Sequence, residues 1–170
     1  MRKLDEVYFE VLQFINHETY LLDHYKFDEW LKLLTDDVKY VMARRVWSEG
    51  VSTIDMKAPL MAENKYSLEA RVKKLVNEFS WSEVPKSLYR HMVSGVFIEA
   101  QNNDEIKVRS NVLFLRHRPT SFMAEIPEYE IFSYEREDIL RGDKDGLKLA
   151  YRLIIPDLPV IPVHALSNLY

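Results

Sequence analysis

Four long alternating stretches occupy the back half of this 170-residue chain and limit what it can fold into. Leu88 to Ala100, Glu105 to Arg118, Tyr129 to Arg141 and Leu147 to Ile155 carry the period-two pattern of β-strands. The last shows it most cleanly: Leu147, Leu149, Tyr151, Leu153 and Ile155 alternate with Lys148, Ala150 and Arg152. Gln101-Asn102-Asn103-Asp104 and Gly142-Asp143-Lys144-Asp145-Gly146 are built from residues that tolerate tight turns, and Pro119 and Pro127 mark a loop between the second and third stretches. Strands joined this way form an antiparallel meander.

The front half has helical spacing instead. Leu4, Val7, Val11, Ile15 and Leu22 recur on one face, with Tyr8 and Leu12 beside them, which predicts a long helix from about Asp5 to about Tyr25. Asp28 is positioned to cap a short second helix holding Trp30, Leu31 and Leu34. Thr35-Asp36-Asp37 reads as a turn into a strand from Val38 to Arg44, and Val46 to Lys65 reads as a long irregular loop. Ser67 is the expected N-cap of a third helix with Leu68, Val72, Leu75 and Phe79 on its apolar face. Helices followed by a meander define an α+β fold, with a curved antiparallel sheet packed on about three N-terminal helices in one domain spanning residues 1–170.

Two stretches suggest surfaces that need cover. Beyond Asn111 both faces of the second strand become apolar, with Val112 and Phe114 on one and Leu113 and Leu115 on the other. The tail after Ile155 carries three prolines that prevent a helix, yet also Leu158, Val160, Ile161, Val163, Leu166 and Leu169. It either meets another subunit or closes this domain's own core.

Composition removes several kinds of chemistry. The chain has no cysteine, which excludes disulfides, thiolate nucleophiles and Cys-ligated iron–sulfur clusters, and fits a reducing, cytoplasmic setting. A formal net charge of -4 with signs intermixed makes it a poor partner for nucleic acid. No apolar run approaches the roughly 20 residues that span a bilayer. Four glycines are too few for a phosphate-cradling loop.

The candidate chemical residues are sparse. His17-Glu18 begins like a zinc-binding HExxH helix, but position 21 is Leu21. His17 and His24 alone make a weak site. Glu18 lies on the apolar stripe of the first helix, so it needs a partner, such as Arg90 or Arg152, or serves as a base; the ion pair is favoured. His91 and His117 lie in strand patterns. With Asp23, Tyr40 or Tyr151 they would suit an acid–base pocket, although satisfied core or interface histidines explain them more simply.

Motifs through most of the chain resemble the small (beta) subunit of bacterial aromatic-ring-hydroxylating dioxygenases. They are Glu18 with Leu21-Leu22-Asp23 and Trp30-Leu31; Asp36-Asp37-Val38-Lys39-Tyr40-Val41-Met42; Arg71-Val72-Lys73-Lys74-Leu75; the run Trp81, Glu83, Pro85, Ser87, Arg90, His91; Arg136 and Asp138 with Leu140-Arg141; Leu149-Ala150 with Arg152; and Leu166-Ser167. Leu147 stands where that family often has Trp, and Pro156-Asp157-Leu158 where it usually has Leu-Asp-Gln.

The resemblance implies a cone-shaped fold similar to nuclear transport factors and a noncatalytic scaffold role in aromatic hydrocarbon catabolism. It implies self-association as a trimer and a large (alpha) oxygenase partner in a three-plus-three hexamer. That partner would hold a Rieske 2Fe-2S cluster and a mononuclear Fe(II), with no cofactor or metal in this chain. The assembly would convert an arene, O₂ and NAD(P)H electrons into a cis-dihydrodiol. The residues expected at interfaces are Trp81, Arg90, His91, Arg116, Arg118 and the tail from Leu158. The alternative is a standalone lyase or isomerase, or a small-ligand binder, using a His/Asp/Tyr pocket.

Overall fold

The computed structural model describes residues 3–77, 86–102, 104–117, 129–162, 166 and 169–170. Helix α1 runs Leu4–Asp23 and buries Val7, Val11, Phe14, Ile15, Glu18, Leu21 and Leu22, one side of a 3.6-residue period. It ends two residues before the expected stop because Tyr25 takes a left-handed φ of 59°. The Lys26 amide then bonds Leu21 O at 2.9 Å and the Tyr25 amide bonds Leu22 O at 3.3 Å, a Schellman closure. Glycine is the usual residue there; in its place Tyr25 stacks on Tyr89 and its hydroxyl donates to Ser87 O at 2.9 Å. These contacts offset a left-handed penalty of about 1–2 kcal/mol.

Helix α2 is only Phe27–Leu31, with Phe27 and Trp30 buried. Asp28 lies inside its first turn and Lys26 holds the N-cap position, so the expected Asp28 cap is corrected. Leu34 opens strand β1, Leu34–Met42, and Thr35-Asp36-Asp37 is therefore strand and not turn. The expected loop after it contains three short strands: β2 (Arg44–Ser48), β3 (Val51–Asp55) and β4 (Met61–Asn64). Strands β2 and β3 form a separate hairpin through Glu49 and Gly50, both at positive φ. That turn geometry is usually announced by Asn-Gly or Asp-Gly, so Glu-Gly concealed it.

Helix α3 spans Lys65–Val76 and buries Leu68, Val72 and Leu75; Phe79 lies outside the described residues. Its N-cap is Asn64, not Ser67. The Asn64 side chain accepts from the Ser67 amide at 3.0 Å, while the Ser67 hydroxyl accepts from the Asn64 amide at 2.9 Å. The two form a reciprocal capping box.

The meander follows as expected: β5 (Leu88–Gln101), β6 (Glu105–His117), β7 (Tyr129–Asp143) and β8 (Gly146–Pro156). The main sheet has the order β4-β1-β8-β7-β6-β5. All its pairings are antiparallel except β1 with β8, which run parallel. The sheet is thus mixed, because β1 enters beside the end of the meander after the helical segment. Gly95 at φ +59° interrupts the β5–β6 register between Ser94 and Phe97, and such bulges bend a strand.

The inward face of the sheet carries Tyr89, His91, Val108, Val112, Phe114, Arg116, Phe132, Tyr134, Arg136, Asp138 and Leu140. Leu113 stays 38% exposed, so the described residues cover only one face of β6 there. Part of the segment after β8 closes this chain's own core. Leu169 and Tyr170 are buried in the core, whereas Leu158 and Val160 are exposed; Val163 and Ser167 lie outside the described residues. Among the described residues, no helix is long and apolar enough to cross a membrane.

Asn64→Ala removes one arm of the capping box and frees an orphan amide. It is expected to lower stability by about 1 kcal/mol in urea unfolding, with an unchanged slope.

Candidate functional site

The apolar stripe of α1 delivers Glu18 into the interior with no solvent exposure. Strand parity delivers its partners. Arg136 and Asp138 share the inward face of β7 with Tyr134 and Leu140, and Arg152 lies directly across from Asp138 on β8. The Arg152 guanidinium donates to Glu18 Oε1 and Oε2 at 2.8 Å each, and to Asp138 at 2.8 and 2.9 Å. Arg136 donates to Glu18 Oε2 at 3.4 Å and lies 3.1 Å from Asp138. The Trp30 indole donates to Glu18 Oε1 at 3.2 Å. Two guanidinia and two carboxylates thus neutralise each other inside the protein, the condition under which buried charge is tolerated.

Burial pushes the Glu18 carboxyl upward, but the Arg152 and Arg136 cations and their hydrogen bonds outweigh it and hold the group at about 2. Burial likewise disfavours the Arg152 cation, and Asp138 and Glu18 overcome it to raise Arg152 well above its ordinary value. A carboxylate held this firmly ionised between two cations is a poor proton acceptor. Glu18 therefore has the structural role expected of it, with Arg152 and not Arg90 as its partner.

Beside this network lies a second polar pair. His91 Nδ1 is 2.6 Å from Asp23 Oδ1, and the His91 amide donates to both Asp23 oxygens at 3.2 Å. His91 Nε2 is 3.3 Å from Leu169 O, so the nitrogen an acid–base mechanism would present to a substrate is covered by the chain itself. Tyr40 is used elsewhere: its hydroxyl donates to Tyr170 O and accepts from the Tyr170 amide. His117 lies against Tyr129. The expected His/Asp/Tyr pocket thus assembles only one of its pairs, and that pair faces a filled interior.

The expected interface residues separate by exposure. Arg90 is exposed and reaches Asp23 at 4.0 Å; Leu158 is exposed as well. Arg116 is buried and ion-paired within the chain to Glu130, and His91 is likewise turned inward. Trp81 and Arg118 lie outside the described residues, as do Glu83 and Pro85. His17 lines an open groove of about 1000 Å³ with Phe9, Gln13 and Tyr20, whereas His24 bonds Tyr20 O at 2.7 Å. Among the described residues, no group of three or more His, Cys, Asp or Glu side chains is placed to hold a metal.

One surface is wider than the Leu113 and Leu115 face that the sequence marks as needing cover. The outward side of β5, β6 and β7 near their shared end carries three cross-strand rows: Met92, Leu113 and Ser133; Arg90, Leu115 and Ile131; Leu88, His117 and Tyr129. Leu88, Met92, Leu113, Tyr129 and Ile131 are all exposed. The signal available was Leu113 and Leu115 on the face opposite Phe114, but the cross-strand neighbours that widen it into a patch depend on register.

A family profile described as "Ring hydroxylating beta subunit" matches residues 17–162. The chain belongs to this family. The 3-phenylpropionate/cinnamic acid dioxygenase subunit beta of Photorhabdus laumondii is 30% identical, over 97% of this chain and 92% of its own length. The biphenyl 2,3-dioxygenase subunit beta of Rhodococcus jostii is 32% identical over 93% and 86%. Among solved structures, a naphthalene 1,2-dioxygenase chain matches with a TM-score of 0.76 at 21% identity, covering 92% of this chain and 82% of its own. An NTF2-like protein with a cystatin-like fold from Novosphingobium aromaticivorans matches at 0.59 and 11% identity, covering 91% and 84%. This ring-hydroxylating beta subunit therefore has the expected α+β fold, a curled sheet closed by helices.

Glu18 in the folded subunit lies at about 2, below its ordinary 4.5, so the unfolded chain takes up the proton first. Its contribution to stability is complete above about pH 4.5 and is lost as pH falls toward 2. Urea midpoints measured across that window are expected to fall more steeply with acid for the parent than for Glu18→Gln.

Proposed function

We propose that this chain is the noncatalytic structural subunit of the terminal oxygenase of an aromatic-ring dioxygenase, acting on aromatic hydrocarbons. The observation that carries the reading is the exposed apolar patch on β5, β6 and β7. Five large side chains in cross-strand register face solvent there, and monomeric proteins rarely leave such a surface uncovered. Its occupant in this reading is the large oxygenase subunit, or a neighbouring copy of this chain within a three-plus-three hexamer. The large subunit would supply the Rieske cluster and the mononuclear iron, and the assembly would add O₂ to an arene to give a cis-dihydrodiol. The names of the relatives, all dioxygenase beta subunits, support the assignment.

Arg90 lies in the middle row of the patch, and Leu158 is a further exposed contact in this proposal. His91 and Arg116 would act from beneath, holding the strands that display the patch. Trp81 and Arg118 complete the proposed interface set. The standalone lyase reading is not favoured, because His91 Nε2 faces Leu169 O and not a cavity.

The test is affinity purification from the native host with iron analysis and native mass. A coloured complex containing the large subunit in equal stoichiometry is expected; a colourless homo-oligomer without iron would refute the proposal. Leu113→Lys and Ile131→Lys put charge on an exposed face. Each is expected to leave the unfolding temperature within a few degrees of the parent while reducing recovery of the large subunit by at least tenfold, read by quantitative gel of the purified complex.

A further inference from the structure

Tyr170 is bound by this chain as a separate aromatic molecule would be. Its ring is fully buried in a cage of other rings. Phe114, Phe132 and Tyr134 meet it edge-on, at centroid distances of 5.2, 5.6 and 6.3 Å and interplanar angles of 73°, 88° and 87°. Edge-to-face packing of this kind is attractive beyond the area it buries. The cage is supplied by β6 and β7, neighbouring strands in continuous register from Glu105 to His117, so it does not depend on Tyr170 for its shape.

The polar tethers all lie on the main chain. The Tyr170 amide donates to Tyr40 Oη at 2.7 Å, and Tyr170 O accepts from Tyr40 and from Arg152 Nη1, the latter at 3.3 Å. One residue earlier, Leu169 O faces His91 Nε2. The phenol hydroxyl is buried and has no hydrogen-bond partner among the described residues. Ring recognition and tethering are thus separable. The backbone is fixed by Tyr40, Arg152 and His91 and the ring by Phe114, Phe132 and Tyr134, while the charges of Arg116, Glu130 and Arg71 act on the phenol from nearby.

We propose that the interior of this subunit contains a binding site for a neutral monocyclic aromatic molecule, occupied in this chain by its own Tyr170 side chain. The site is distinct from the exposed patch and does not depend on the assembly reading. Cavities with rigid apolar walls accept small aromatic rings, which is the behaviour expected of the Phe114, Phe132 and Tyr134 walls once the side chain is removed at Cα, with the hydroxyl end left beside Arg116, Glu130 and Arg71. Burial also keeps the Tyr170 phenol protonated far above its usual range, so the ring that fits is uncharged.

The experiment uses the full chain carrying Tyr170→Gly, with p-cresol as the probe because its methyl group replaces the missing Cβ. The variant is expected to unfold about 10 °C below the parent. Saturating p-cresol should recover most of that loss while leaving the parent's unfolding temperature unchanged. A variant that keeps the parent's circular dichroism but responds to p-cresol no more than the parent does would overturn the proposal. If Tyr170→Gly does not fold alone, its refolding yield with and without p-cresol reads the same site: a rise supports the assignment and an unchanged yield overturns it.

Discussion

The fold is organised around the contact between Glu18 and Arg152. It joins the long helix to the centre of the sheet with two 2.8 Å charge-assisted bonds in a fully buried setting. Removing one member of such a pair leaves an uncompensated charge, which typically costs about 3–5 kcal/mol. The pair also sets geometry. Arg152 can satisfy both Glu18 and Asp138 only if α1, β7 and β8 keep their register, and the same guanidinium reaches Tyr170 O. Helix, sheet and the segment after β8 are therefore positioned by one side chain.

That arrangement leaves little room for chemistry inside. The polar groups that an NTF2-like fold could present to a ligand are already committed to one another: His91 to Asp23 and Leu169, Tyr40 to Tyr170, and Glu18 to two arginines. The outer surface shows the opposite division. The centre of its sheet is a ladder of internally paired charges, half-buried except for Glu99, in which Lys107 and Arg109 meet Glu99, Glu135 and Glu137. Such pairs contribute little to stability, but they keep that region soluble. The apolar rows begin beyond the ladder, at Leu113. The adjoining polar and apolar zones give the exposed face a defined boundary, as interfaces with a polar rim have.

The four meander strands were legible because long alternating runs and polar turns agreed, and their ends shifted by only one or two positions. The strand from Val38 was legible, but the region from Arg44 to Asn64 was not, for physical reasons. The β2–β3 turn uses Glu49-Gly50 in place of a common turn pair, and β4 has four residues, too few to show a period. Asn64 lost the cap to Ser67 in the reading because both ends of a capping box are good caps. Of the interior, Glu18 stood out as a carboxylate on an apolar stripe. Arg136 and Asp138 could have been found the same way, since they share strand parity with Tyr134 and Leu140.

The sequence alone determined the class of fold, the family resemblance and the presence of a charge that had to be paired, since periodicity and the cost of burying a carboxylate are local properties. Only the tertiary structure decided which arginine answers Glu18, that His91 is closed by Leu169, and that Arg116 is inside while Arg90 is outside. Those outcomes depend on strand register and on where the segment after β8 returns. A shift of one residue exchanges the two faces of a strand, and no single segment carries the information that prevents it.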